Sequence, residues 1–307
     1  MTREDNRQPT TGGRLFVVAT PLGNLEDVSI RALRVLREVR LIACEDTRRT
    51  ARLLRHFRIR AQTTSFFEHN ERFKCTRIIE VLRHGHDVAL VSDAGTPGIS
   101  DPGYRLVRSA RAAGFAVLPV PGPNAAIAAL SVSGLATDRF LFIGFLPTRA
   151  AARRRAAEEL AHRRETFVLY ESPVRILSLF DLLIATIGDR EAFLCREATK
   201  LHEEHVLGRL SDIRCFLSKR SKVKGEIVLV VSGAKDVEPP REASPEELFA
   251  HFVSLGFTRR RAVKEAARRL GLTAGEVYRR TLAVPTSMEI DGGEKAPSGP
   301  LCGKGDR

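Results

Sequence analysis

The stretch Val88-Ala-Leu-Val-Ser-Asp93-Ala-Gly-Thr-Pro-Gly-Ile-Ser-Asp101-Pro-Gly103 decides how this chain is read. A short aliphatic run ends in an aspartate, and the ten residues after it carry three glycines, two prolines and a second aspartate. This predicts a buried strand that delivers a carboxylate and a rigid, backbone-exposing loop to its C-terminal edge. Glycine lets main chain approach a ligand, and proline restricts the path. In open α/β sheets that edge is where ligands bind.

Similar aliphatic runs recur at 15–20, 41–46, 116–121, 140–145, 166–171, 192–198 and 226–231. Their apolar content is continuous rather than alternating, as expected of strands covered on both faces. Helical patterns lie between several of them. In 29–39, Ile30, Leu33, Leu36 and Val39 repeat on one face and Arg31, Arg34 and Arg37 on another. Ser29 is placed as its N-cap, with Glu26 and Asp27 near the positive end of the helix dipole. The alternation predicts α/β layers. Pro-Val-Pro-Gly-Pro at 119–123 interrupts it. The expected organisation is a disordered N-terminus at 1–13, an α/β domain at 14–121, and a second α/β domain at 122–236. A linker around Pro239-Pro240 follows.

Residues 244–282 read as a separate helical unit resembling a helix-turn-helix. Ser244-Pro245-Glu246-Glu247 is a helix start, with cap, proline and capping-box carboxylate in sequence. Between Thr258 and Arg280 stand eight Lys/Arg and two Glu. Arg259, Arg260 and Lys264 are candidate RNA contacts there. Residues 285–307 are polar and Gly/Pro-rich, the composition of a disordered tail.

The 307 residues carry 50 Lys+Arg against 37 Asp+Glu, a formal charge of +13. A protein this basic is expected to meet a polyanion, most commonly nucleic acid. The five cysteines are scattered, with no C-x-x-C pair, so neither a zinc ribbon nor a disulfide framework is indicated. A reducing cytoplasm fits. The first 13 residues lack the apolar core of a secretory signal, and no apolar run reaches the length of a membrane span.

Thr20-Pro21-Leu22-Gly23-Asn24-Leu25 follows the first strand as a ligand-facing turn, without the G-x-G-x-x-G dinucleotide spacing. No G-x-x-x-x-G-K-[ST] loop is present, which argues against an NTPase. Glu45-Asp46-Thr47-Arg48 ends the second strand, where acid and base side by side suit either a ligand or a structural ion pair. Glu68-His69-Asn70-Glu71 reads as a polar loop that could serve a site. His84-Gly85-His86 reads as a turn. His202-Glu203-Glu204-His205 departs from H-E-x-x-H and has no evident third ligand, so no metal is expected.

In order along the chain stand 19–27, Glu45-Asp46-Thr47-Arg48, Glu68-His69-Asn70-Glu71, the 93–103 block and Pro121-Gly122-Pro123-Asn124-Ala125. Gly144-Phe145-Leu146-Pro147, Tyr170-Glu171-Ser172-Pro173, Arg196-Glu197-Ala198-Thr199-Lys200 and Lys224-Gly225-Glu226 follow. With these blocks, residues 14–236 resemble the ribosomal RNA small-subunit methyltransferase I family. That family lies within the tetrapyrrole methylase-like, class III S-adenosylmethionine methyltransferases. The long 93–103 block is the specific one. Two positions depart from the family pattern: Val174, where His is usual, and Asn124, where Ser is usual.

The resemblance implies two α/β domains with a cofactor cleft between them, S-adenosylmethionine as donor, and a cytoplasmic homodimer. Its acceptor would be the ribose 2′-hydroxyl of a decoding-region cytidine (cytidine-1402) in 16S ribosomal RNA of the small subunit. By that likeness Pro21, Asp93 and Ala94-Gly95-Thr96 face the methionine moiety. Asn124, Ala125, Leu169, Tyr170, Ala198 and Glu226 close the nucleoside side.

Transfer from a sulfonium to a hydroxyl is mostly a positioning task, helped by a general base. Asp93, Glu45, Asp46 and Glu171 are candidate carboxylates near strand ends, with Asp93 and Glu45 favoured. Lys200 and Arg48 would hold phosphate or a developing oxyanion. Arg48, Arg49 and Arg52, with Arg55, and the cluster Arg149, Arg153, Arg154 and Arg155 are candidate RNA-facing groups. With three Tyr and no Trp, phosphate contacts should outweigh stacking. Two other readings are a tetrapyrrole methyltransferase of the same superfamily and a non-catalytic nucleic-acid-binding protein.

Overall fold

The computed structural model describes residues 12–67, 70–234, 244–282 and 284. It divides into two compact units, Met1–Lys235 and Asp236–Arg307. The first unit opens with β1 (Leu15–Val18), α1 (Ile30–Glu38), β2 (Leu41–Cys44), α2 (Thr47–His56) and β3 (Thr63–Ser65). It continues through α3 (Glu71–Arg83), β4 (Val88–Val91), α4 (Tyr104–Ala112) and β5 (Val117–Val120). These strands form one parallel sheet in the order β3-β2-β4-β1-β5. Val91 stands level with both Val18 and Cys44, so the loops leaving β1, β2 and β4 emerge at one edge. Separate apolar cores cover the two faces, one around Val35, Leu36 and Ile42, the other around Phe66, Ile78 and Leu106. That double covering is why these strands read as unbroken aliphatic runs.

The chain then builds α5 (Ala125–Val132), β6 (Phe140–Phe145), α6 (Ala150–Glu159), β7 (Thr166–Glu171) and α7 (Ile176–Ile187). After these come β8 (Glu191–Arg196), β9 (Glu204–Arg209), α8 (Leu210–Ser218) and β10 (Ile227–Val231). The second sheet runs β6-β7-β10-β8-β9, with β6 and β7 parallel and the other neighbours antiparallel. One face buries Leu169, Phe180 and Leu194; the other packs Val168, Phe193 and Val230 against α5.

In the second unit, α9 (Pro245–Ser254), α10 (Arg259–Leu270) and α11 (Ala274–Arg280) enclose a small core of Phe249, Ala262, Ala266 and Val277. Ser244 and Glu247 form a reciprocal capping box, as do Thr273 and Glu276. Gly271 closes α10 in the left-handed conformation, at φ 65°.

Three details differ from the sequence expectations. In α1 the buried face is Ala32, Val35 and Leu36, while Ile30 is 88% exposed. A three-residue spacing drifts around a helix of 3.6 residues per turn, so Ile30 leaves the stripe. β3 was not expected, since Thr63-Thr64-Ser65 is short and polar. β9 was also missed: it is an edge strand that alternates half-buried and exposed residues. The expected linker around 239–240, the tail at 285–307, all but Gly12 and Gly13 of the N-terminus, and Glu68 and His69 lie outside the described residues.

Candidate active site

The 93–103 loop is stitched to its surroundings by main-chain geometry that only its sequence permits. Thr20 and Gly95 exchange two backbone hydrogen bonds of 2.9 Å, joining the loop after β1 to the loop after β4. Gly95 sits at φ 83° and Gly98 at φ 82°, where side-chain-bearing residues are strained. Ser100 holds φ 59° without being glycine. Glu197 and Thr199, in the loop after β8, do the same at 55° and 64°. Such departures concentrate at functional sites.

Between the two sheets lies a cavity of about 500 Å³, within the range of small-molecule sites. From the first sheet come Leu22, Glu45, Asp93 and the 94–96 backbone segment, and further along the same loop Asp101. From the second come Tyr170, Cys195, Ile227 and Val228, with Ala198 and Glu226 on its loops. Asn124 and Ala125, at the start of α5, lie between them.

Asp93 Oδ1 accepts the Asp46 amide at 3.0 Å, and its Oδ2 stands 3.5 Å from Arg49 Nε. Asp46 caps α2 and chelates Arg48, which pulls its pKa down to about 2. Burial raises the Glu45 carboxyl, and the Asp93 charge adds to the rise. Asp101 is raised furthest, to about 6, first by burial and then by Glu45, with Asp93 and Glu226 adding. The Ser92 hydroxyl offsets that rise only in part.

Asn124 caps α5 by accepting the Ile127 amide at 3.2 Å, and its Nδ2 donates to Thr96 Oγ1 at 3.4 Å. Thr96 in turn donates to the Pro123 carbonyl at 3.1 Å. Tyr170 Oη accepts the Ala126 amide at 3.1 Å, and burial raises the phenol pKa. Asn124 therefore both caps α5 and donates to Thr96. Val174 is 86% exposed and does not line the cavity.

Several candidate residues stand elsewhere than the sequence reading placed them. The Leu169 side chain belongs to the core on the far face of β7, because successive strand residues point to opposite faces. Pro21 lines an adjoining cavity of about 230 Å³, shared with Arg49, Arg52 and Ser92. Lys200 is outside the lining: its ammonium bridges Glu197 at 2.9 Å and Glu226 at 3.1 Å. Burial opposes that charge, yet the two carboxylates carry its pKa above the ordinary value. Arg153 is not a surface group: it reaches 3.1 Å from the buried Glu171, which also binds Arg175. Arg259 donates to the Thr281, Leu282 and Val284 carbonyls and stacks over Phe249, which makes it a clasp of its own unit. Arg154 pairs with Glu158 at 2.9 Å, while Arg260 and Lys264 are exposed.

Asp101 lines the cavity although the motif reading assigns it no role. The signal available was its place eight residues after Asp93 in the same glycine- and proline-rich loop. The fold also supplies the missing third neighbour to the His202–His205 stretch, because β8–β9 pairing sets Cys195 opposite His205. Cys195, Glu203 and His205 converge within 4.8 Å. Burial, with the Glu203 charge, pushes the Cys195 thiol up to about 11, so this cluster holds a thiol rather than a thiolate.

Residues 14–214 match the family model of the tetrapyrrole (corrin/porphyrin) methylases. The chain is 43% identical over 282 residues to ribosomal RNA small subunit methyltransferase I of Halalkalibacterium halodurans, covering 90% of this chain and 97% of that one. It is 48% identical over 240 residues to the protein of that name in Pseudomonas aeruginosa, covering 78% and 85%. The Thermotoga maritima protein of that name is 48% identical over 221 residues, 72% of this chain and 99% of that one. Among solved structures, diphthine synthase superposes with TM-score 0.56 at 18% identity, covering 72% of this chain and 90% of that one. Uroporphyrin-III C-methyl transferase of Thermus thermophilus, complexed with S-adenyl homocysteine, superposes with TM-score 0.51 at 20% identity, covering 71% and 97%. These likenesses carry the fold, and the identities above 40% carry the kinship: the chain belongs to the ribosomal RNA small subunit methyltransferase I family of the tetrapyrrole methylases.

Proposed function

We propose that this chain transfers the methyl group of S-adenosylmethionine to the ribose 2′-oxygen of a decoding-region cytidine in small-subunit ribosomal RNA. One observation carries the reading. In a protein of formal charge +13, the cavity gathers Glu45, Asp93 and Asp101 against the guanidinium of Arg49, with Glu226 held by Lys200 at its rim. Glu171, also in the lining, is neutralised by Arg153 and Arg175. An acidic pocket in a basic protein fits a cationic small ligand inside and a polyanion outside.

The donor fits that pocket. When bound, its ammonium and sulfonium would be met by the carboxylates, and its adenine ring would be met by Leu22, Ala125, Ile227 and Val228. Gly95, with no side-chain atom closer than 3.4 Å to a built Cβ, leaves main chain open for close approach. When bound, the group supplies a methyl already activated for displacement. The residues then have to hold the acceptor in line and take its proton. Asp101 is the carboxylate suited to that proton. It lies in the cavity, and its pKa of about 6 leaves it ionised yet basic near neutral pH. Glu45 and Asp93 sustain that basicity by repulsion, and Asp93 also ties the loop after β2 to the loop after β4. Arg49 and Arg52, which line the second cavity, would meet acceptor phosphate. Arg48, Arg154, Arg260 and Lys264 remain as exposed outer contacts.

The same reading divides the chain into α/β domains at 14–121 and 122–236 and a basic RNA-binding unit at 244–282, in a cytoplasmic homodimer. The Thermotoga relative aligns over 221 residues, nearly all of its own length, which fits an α/β body without the added helical unit. Removal of 244–307 should therefore weaken RNA affinity and spare cofactor affinity.

The deciding experiment is labelled-methyl transfer to assembled small subunits and to free ribosomal RNA, with the modified nucleotide mapped. A ribose-methylated cytidine is expected. Label in a uroporphyrinogen instead would favour the tetrapyrrole reading. No label in any acceptor, with no S-adenosylhomocysteine bound, would leave only a nucleic-acid-binding role.

A further inference from the structure

We propose that the furrow between α3 and α4 is a second RNA-binding site, a phosphodiester-backbone track leading to the catalytic loop; this rests on the ribosomal RNA reading. The furrow encloses about 890 Å³. Arg72 and Arg83 stand on its α3 side, Arg105 and Arg108 on its α4 side. The small residues Thr76, Ser109, Ala112 and Ala113 line it beside these arginines. Arg72 and Arg83 are eleven residues apart on one helix, which spaces them about 16 Å along it.

The charge is unbalanced. Among the described residues, Arg72, Arg83 and Arg108 make no ion pair, and Arg105 meets the Glu71 carboxylate at 3.2 Å. A helix pair that packs its own core through Ile78, Leu82, Leu106 and Ala110 has no folding need for Arg72, Arg83 and Arg108 on its outer surface. Unpaired guanidinium groups in a furrow are phosphate ligands in waiting, and arginine suits phosphate better than lysine does. Tyr104, 66% exposed at the α4 end of the furrow, offers a ring on which an unstacked base can lie.

The furrow is also coupled to the active site. Glu71, which pairs with Arg105, accepts the Gly103 amide at 2.9 Å, and Gly103 ends the loop that carries Asp93 and Asp101. A strand of RNA held along α3 and α4 is thus anchored to the segment that lines the cavity. None of these arginines belongs to the clusters that the sequence pattern singled out. They are scattered over 37 positions and come together only because α3 and α4 are neighbours on one face of the sheet.

The test uses the full chain and the variant R72A/R83A/R108A, which spares the Glu71–Arg105 pair. Binding of a small-subunit ribosomal RNA fragment is followed by fluorescence anisotropy across a salt series, with S-adenosylhomocysteine binding measured by calorimetry. Loss of three phosphate contacts should flatten the slope of log affinity against log salt by about 2 and lower affinity at least tenfold near 0.1 M salt. Cofactor affinity should be unchanged. R72K/R83K/R108K should recover most of the slope. An unchanged slope in the alanine variant, beside a wild type that binds, overturns the furrow alone. A change of oligomeric state with RNA binding intact overturns it too, in favour of a contact with a second copy of this chain. A wild type that binds cofactor but no RNA overturns the ribosomal RNA reading itself.

Discussion

Glu71 Oε1 accepts the amide of Gly103 at 2.9 Å, so the first residue of α3 holds the last residue of the loop that carries Asp93 and Asp101. The carboxylate is buried, and Gly103 sits at φ 144°, with a built Cβ only 2.9 Å from Leu90. Glu71→Ala leaves a buried N–H unsatisfied, which costs about 1–3 kcal/mol. The expected outcome is a lower melting temperature together with weaker S-adenosylhomocysteine binding. A melting temperature that falls with cofactor affinity intact would show that the bond supports the fold but not the loop.

Asp101→Asn separates chemistry from binding. Loss of a general base is worth about 10²–10⁴ in rate. Turnover should therefore fall by that order while S-adenosylhomocysteine affinity stays within a few-fold. In the wild type the active form is the carboxylate, so rate rises with pH through about 6 and levels above it. The stability sign runs the other way. A carboxyl whose folded pKa lies above its unfolded value contributes stability at low pH, and that contribution is lost as pH rises through about 6. Asp101→Asn should thus melt higher than wild type at pH 8, with the gain vanishing near pH 4. Both profiles are read by single-turnover methyl transfer and by thermal denaturation across pH.

Arg153→Ala should act on stability. Its partner Glu171 has no exposed side-chain surface, and Arg153 itself is 13% exposed. Removing one member of a buried ion group strands the charge that remains, at a cost of about 3–5 kcal/mol, softened here by Arg175. Chemical denaturation should show the loss. The salt dependence of RNA binding should be unchanged, in contrast to the arginines of the α3–α4 furrow.

Tyr170→Phe removes the acceptor of the Ala126 amide at the start of α5. The ring keeps its edge contacts with Phe142 and Phe145, so the fold persists. A part-buried donor left without a partner costs about 1 kcal/mol, felt beside the cavity. Calorimetry should show S-adenosylhomocysteine affinity reduced several-fold with melting temperature nearly unchanged.

What the sequence by itself determined is the local physics. Unbroken aliphatic runs announced strands covered on both faces, and eight of the ten strands follow from them. Ser29 and Ser244 marked helix starts because capping is a matter of a few adjacent residues. The 93–103 block declared its loop because glycine at positive φ and proline at fixed φ are chemical properties of those residues. What only the tertiary structure decided is which charges meet. Arg153 and Arg259 looked like surface cations in a basic chain, yet each is committed to a buried carboxylate or to helix-end carbonyls. Asp101 acquired its raised pKa first from burial between packed segments and then from Glu45, with Asp93 of its own loop and Glu226 adding. The furrow arginines became one site through the packing of α3 beside α4. Burial and charge proximity depend on distances between segments far apart in the chain, and periodicity along a sequence holds no record of those distances.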